Sequence, residues 1–163
     1  MANEEAIKTE LSSKFSFLAD KIVVQRARRL FVDVSQDHFR AVFEYAAKQM
    51  GFIHLCLMTG LDDGNNLQFI YHLSKMDGTV LNLRTTAPKS NPVIKTVTDI
   101  FPGGVIYERE VIDLLGAKVE GIPPGLRYPL PDDWPANQFP LRKDWKPEML
   151  EELDGRKEEA KNG

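Results

Sequence analysis

Seven of the ten prolines and both tryptophans lie between residues 123 and 147. Proline fixes φ and supplies no backbone donor, so this stretch cannot sit inside a sheet or a helix. The chain therefore divides. Residues 1–118 must supply the folded core, 119–147 form an extended, Pro/Trp-rich arm, and 148–163, EMLEELDGRKEEAKNG, are a charged tail expected as a short helix with a frayed end. At 163 residues this is one domain's worth of chain, enough to bury a real core.

Within 1–118, hydrophobic spacing gives the elements. Residues 3–18 read as an amphipathic helix with Ile7, Leu11, Phe15 and Leu18 on one stripe, broken at Ala19-Asp20. KIVVQRARRLFVDV (21–34) reads as two strands around a tight basic turn. Ser35 is placed to cap a helix over 36–50, where Phe39, Val42, Phe43, Ala46, Ala47 and Met50 share a face and Gly51 ends the run. Residues 52–61, 66–75 and 79–87 read as three strands of a meander, joined at Asp62-Asp63-Gly64-Asn65 and at Asp77-Gly78. A short helix is expected over 93–101, opened by Asn91-Pro92 and closed by Pro102-Gly103-Gly104. A last helix over 104–115 stops at Gly116. The order defines an α/β (α+β) fold with the Pro-rich arm after it.

Charge and composition exclude several functions. Twenty-one Lys and Arg against twenty-four Asp and Glu give a net charge of −3, so no overall basic field draws the chain to nucleic acid or anionic lipid. The longest apolar runs, such as FIHLCLM (52–58), fall far short of the roughly 20 residues that a membrane helix needs. The acidic start, MANEEAIKTE, has neither a signal-peptide nor a transit-peptide pattern, and a cytoplasmic location is expected. The single cysteine, Cys56, is expected buried and structural; alone it can hold neither a disulfide nor an iron–sulfur cluster. His38, His54 and His72 have no metal-ligand spacing. No Gly-rich phosphate loop follows a strand, and no Gly-x-Ser-x-Gly elbow is present.

Two further clusters carry rival readings. Arg26, Arg28 and Arg29 would make a nucleic-acid-binding hairpin, but they lack interleaved aromatics and also suit a plain solvated turn. Asp132-Asp133 would serve a small free-standing enzyme as an acid/base pair. Neighbours in an extended chain point to opposite sides, however, so turn formation or helix capping is the simpler role.

On the last helix, Glu108 falls inside the apolar arc, between Leu115 and Ile112, while Arg109 and Asp113 form an i, i+4 pair on the polar face. A carboxylate among apolar neighbours needs a cation or donors, and Arg84, Arg127 and Arg142 are the candidates within the chain. Glu108 is therefore read as an ion-pair anchor.

Residues 108–145, EREVIDLLGAKVEGIPPGLRYPLPDDWPANQFPLRKDW, resemble the signature of the 30-kilodalton subunit of respiratory complex I. The matching features are Glu108-Arg109-Glu110, Asp113, Gly116, Glu120-Gly121, Leu126-Arg127 and Pro140 to Trp145, ending in Leu141-Arg142-Lys143-Asp144. The variations Ile112-Asp113-Leu114-Leu115-Gly116-Ala117, Gly121-Ile122-Pro123 and Pro131-Asp132-Asp133-Trp134-Pro135 look more like the equivalent subunit of membrane-bound, energy-converting [NiFe]-hydrogenases; a quinone-reducing NADH dehydrogenase is the alternative.

The resemblance implies a two-layer fold with helices packed on one mixed β-sheet. It implies a non-catalytic subunit without cofactor of its own, docked on the large hydrogenase-like subunit and beside iron–sulfur subunits. Iron–sulfur clusters, and NiFe in the hydrogenase type, would belong to those partners. The location would be peripheral, on the cytoplasmic side of the membrane. A proline-stiffened segment loses little entropy on docking, and Trp and Arg are the residues most enriched at interface hot spots. Trp134, Arg142 and Trp145 are the expected anchors, Arg142-Lys143-Asp144 are expected to fix register by charged hydrogen bonds, and Arg127 and Asp133 are further interface or structural residues.

Overall fold

A computed structural model of the chain describes residues 2–150; the tail beyond Leu150 lies outside them. Helix α1 (Ala2–Lys14) is shorter than the apolar stripe suggests, and the chain continues through Phe15 into a 3-10 turn over Ser16–Leu18. Serines and phenylalanines crowd this stretch, and both are mediocre helix formers. The stripe still works: Ile7, Leu11 and Leu18 are buried.

Strands β1 (Ile22–Arg26) and β2 (Arg29–Asp33) form an antiparallel hairpin, with Arg28 at φ 59° in its turn. Arg26 and Arg28 are exposed and Arg29 half-buried. Helix α2 (Gln36–Lys48) buries Phe39, Val42, Phe43, Ala46 and Ala47, as its spacing dictates. Ser35 takes the N-cap position in extended conformation, but its hydroxyl makes no capping bond.

Strands β3 (His54–Asp62), β4 (Asn66–Ser74) and β5 (Val80–Pro88) form the meander. The main sheet runs β1-β2-β5-β4-β3, and β2 joins β5 in parallel, so the sheet is mixed. Helix α2 lies on one face, where the rings of Phe39 and Phe43 stand 4.7 and 5.5 Å from that of Tyr71 on β4. Burying these aromatics against one another supplies much of the core.

Two expectations are corrected. No helix forms over 93–101. Val93–Lys95 is strand β6, paired in parallel with β7 (Lys118–Glu120) in a separate two-stranded sheet, and a 3-10 turn over Pro102–Gly104 follows. Five of the six residues from Val93 to Thr98 are β-branched, which favours extended backbone once a partner strand is available. The division at 118/119 therefore falls within β7. The second correction is Cys56, which is exposed. β3 is an edge strand whose register shifts between Leu55 and Leu57, and the Cys56 thiol points to Ser74 Oγ, 3.2 Å away. An irregular edge strand gives a thiol no core to enter.

Between the β6 and β7 strands runs α3 (Val105–Leu115), which packs on β3 so closely that a side chain on Gly60 would strike Leu115. Gly116 ends α3 in the left-handed conformation at φ 71°. Among the described residues no helix is long and apolar enough to cross a membrane.

Candidate partner-docking site

After β7 the chain doubles back over α3 as a strap held at four places. Arg109 donates to the carbonyls of Pro123 and Pro124 at 3.4 and 3.1 Å, and its guanidinium lies where any side chain on Gly125 would begin. Asp113 is buried; it accepts from Arg127 Nε at 2.9 Å and from the Leu130 amide at 3.1 Å. Arg127 also donates to the Trp134 carbonyl at 2.8 Å. The expected Arg109–Asp113 pair is thus replaced by two separate clamps, because the strap offers each residue a better-placed partner.

The third hold lies at the end of α3. Leu141 N reaches the Leu114 carbonyl at 3.0 Å and Arg142 Nε the Leu115 carbonyl at 2.7 Å, two acceptors left free by the helix terminus. The Arg142 guanidinium stacks 4.6 Å over the Phe139 ring. The fourth hold is Asp62, at the end of β3. Its carboxylate takes the Lys143 amide at 2.9 Å, the Gly64 amide at 2.7 Å and Lys89 Nζ at 2.6 Å; Lys89 also pairs with Asp144 at 2.8 Å. Burial would raise the Asp62 pKa, but Lys89 and the two amides outweigh it and bring it down to about 2.

Trp134 and Trp145 pack on each other, ring centres 6.2 Å apart. Both indole N–H groups end on Gln138, at its carbonyl (2.9 Å) and its side-chain oxygen (2.8 Å). The tryptophans are half-buried, so one face of each is committed to the strap itself. Asp132 and Asp133 are exposed. The large apolar side chains of the strap left facing outward are Leu126, 81% exposed, Leu141, 55%, and Tyr128, 44%.

Glu108 is fully buried, as its place in the apolar arc requires, but none of the described arginines meets it. It accepts from Val97 N and Thr96 Oγ1, both at 2.7 Å. Desolvation raises its pKa against those two bonds. Arg84 pairs instead with Asp33, Arg127 with Asp113, and Arg142 with a helix carbonyl. The ion-pair anchor of this helix is Asp113, one turn and a residue further on. Glu110, by contrast, makes no ion pair or side-chain hydrogen bond among the described residues.

His72 bridges Thr59 and Asn82 at 2.9 and 2.6 Å, whereas His54 is exposed and His38 stacks on Phe17. Among the described residues no group of three His, Cys, Asp or Glu side chains could hold a metal ion. Sequence reasoning missed Asp62 and Gln138 as strap anchors. Asp62 carries a turn signal that hides its second role, and a glutamine in a loop carries none.

Fold and site together define an α+β domain on one mixed sheet with a C-terminal strap clamped along its last helix. The model of the respiratory-chain NADH dehydrogenase 30 Kd subunit matches residues 32–150, and the chain belongs to that family. It is 29% identical to the membrane-bound hydrogenase subunit beta of Pyrococcus furiosus, over 90% of this chain and 88% of that one. It is 30% identical to one of the subunits of the F(420)H(2) dehydrogenase of Methanosarcina mazei, over 83% of this chain and 87% of that one. Among solved structures, a chain of the membrane-bound sulfane sulfur reductase, an archaeal respiratory membrane complex, superposes with a TM-score of 0.77 at 27% identity, covering 96% of this chain and 91% of that chain.

Proposed function

We propose that the chain is a non-catalytic, cofactor-free scaffold subunit in the peripheral arm of a membrane-bound redox complex of the energy-converting hydrogenase or complex I type. It docks on the large hydrogenase-like subunit, holds that subunit and its iron–sulfur neighbours in register, and so supports electron transfer coupled to ion translocation. It sits on the cytoplasmic side of the membrane, held there by its partners.

The observation that carries this reading is the strap. Charged hydrogen bonds fix its inner face to α3 and to Asp62, while Leu126, Tyr128 and Leu141 are left in solvent. A segment held rigid before association loses little further entropy on docking, and exposed apolar side chains on such a segment mark an interaction surface. The near full-length similarity to subunits of hydrogenase and dehydrogenase complexes supports the same conclusion.

The test is co-purification of the large subunit with a tagged chain. Leu126→Asp with Tyr128→Asp should lower its recovery about ten-fold or more. Undiminished recovery, or stoichiometric cofactor and turnover in the isolated chain, would overturn the reading.

A further inference from the structure

A groove of about 280 Å³ runs between α3 and β3, at the edge of the main sheet. Leu57 and Thr59 of β3, Leu114 of α3 and Leu141 of the strap line it, and Glu110 is the one charged residue on its wall among the described residues. Along α3, Ile106 and Leu114 stand one turn before and one turn after Glu110, making an apolar stripe with a carboxylate at its centre. Ile106 and Leu57 are 40% and 42% exposed.

The other acids of this helix that turn from solvent are satisfied within the chain. Glu108 takes a hydroxyl and an amide, and Asp113 takes a guanidinium and an amide. Among the described residues Glu110 alone of these acids is left among leucines with no cation brought to it. Any body that covers Leu57, Leu114 and Leu141 also strips water from Glu110, and an uncompensated carboxylate opposes that contact. The occupant must therefore supply the positive charge. A second copy laid groove to groove would set carboxylate against carboxylate, and an anionic lipid surface has the wrong sign.

We propose that this groove receives a segment of the large subunit in which one arginine or lysine, flanked by apolar side chains, pairs with Glu110. The proposal rests on the docking reading above and adds the chemistry of the contact. Ion pairing of this kind fixes register, because a one-residue slip leaves both charges unpaired.

The experiment uses the complex assembled in cells around a tagged chain, with Glu110→Gln, Glu110→Arg and Leu57→Asp compared with the wild type. Circular dichroism and melting of the isolated Glu110 variants should be unchanged, since among the described residues Glu110 has no partner to lose. Recovery of the large subunit should fall about ten-fold with Glu110→Gln and further with Glu110→Arg. A photo-crosslinking residue placed at Thr59 should capture a large-subunit peptide containing Arg or Lys. Undiminished recovery with Glu110→Arg, or a captured peptide without a basic residue, overturns the proposal. Loss of the large subunit in the Leu126/Tyr128 variant but not in Glu110→Arg would sink this inference and leave the docking reading standing.

Discussion

The edge of the Phe139 ring lies 2.6 Å from the point at which a side chain on Gly116 would begin. Gly116 thus serves two ends at once: it closes α3 in the left-handed conformation, and its bare α-carbon gives the strap a seat. Gly116→Ala would impose both backbone strain and a collision with Phe139. It should destabilise the domain by about 1–3 kcal/mol and open the strap to protease between Pro131 and Pro147. Urea unfolding and limited proteolysis check both effects; wild-type resistance to cleavage would show that the strap does not depend on this seat.

Arg127 is the cation that makes burial of Asp113 tolerable. Arg127→Ala leaves the carboxylate with the Leu130 amide alone, and should cost roughly 2–4 kcal/mol. Asp113→Ala should cost less in the presence of Arg127→Ala than by itself, because the second substitution removes a charge already stranded. A double-mutant cycle in denaturant measures the difference. Strict additivity would mean the two side chains are not coupled in solution.

Acid should act on two buried carboxylates in opposite senses. Asp62 is held at about 2, below its unfolded value, so its contribution to stability is present above about pH 4 and is lost as pH falls toward 2. Glu108 is raised, so its contribution is present at low pH and declines as pH rises through its folded value. Asp62→Asn should flatten the acid limb of the stability profile and loosen the Lys143–Asp144 end of the strap. Glu108→Gln, which keeps one acceptor for Val97 N, should remove the opposing slope. Melting curves between pH 2 and 7 check both; an unchanged acid limb in Asp62→Asn would rule out the assigned role.

Most of the fold was legible because its signals are local. The α2 face, the meander and the Gly116 stop follow from spacing and turn residues, and the structure reproduces them. The β6–β7 ladder was not legible, since β6 becomes a strand through a partner some two dozen positions later, and Pro92 with the following residues mimics a helix start. Burial of Glu108 was readable from the helical wheel, but its partners were not. An amide and a hydroxyl from a preceding loop satisfy it, and no spacing rule announces such a pair. The signature residues 108–145 marked out the strap, yet not which of its faces turns inward. Trp134, Arg142 and Trp145 are partly spent on internal contacts, while Leu126, a signature residue not read as an anchor, and Tyr128, which carries no motif, are left outward.

The parallel joint between β2 and β5 has a bearing on how the molecule assembles. Arg29 lies beside Val80, so this ladder closes only after all of α2, β3 and β4 has been gathered in. Long closures are slow, whereas β3, β4 and β5 meet through tight turns. Contact order therefore favours a nucleus in the three-stranded meander, with the β1–β2 hairpin joining a sheet already formed.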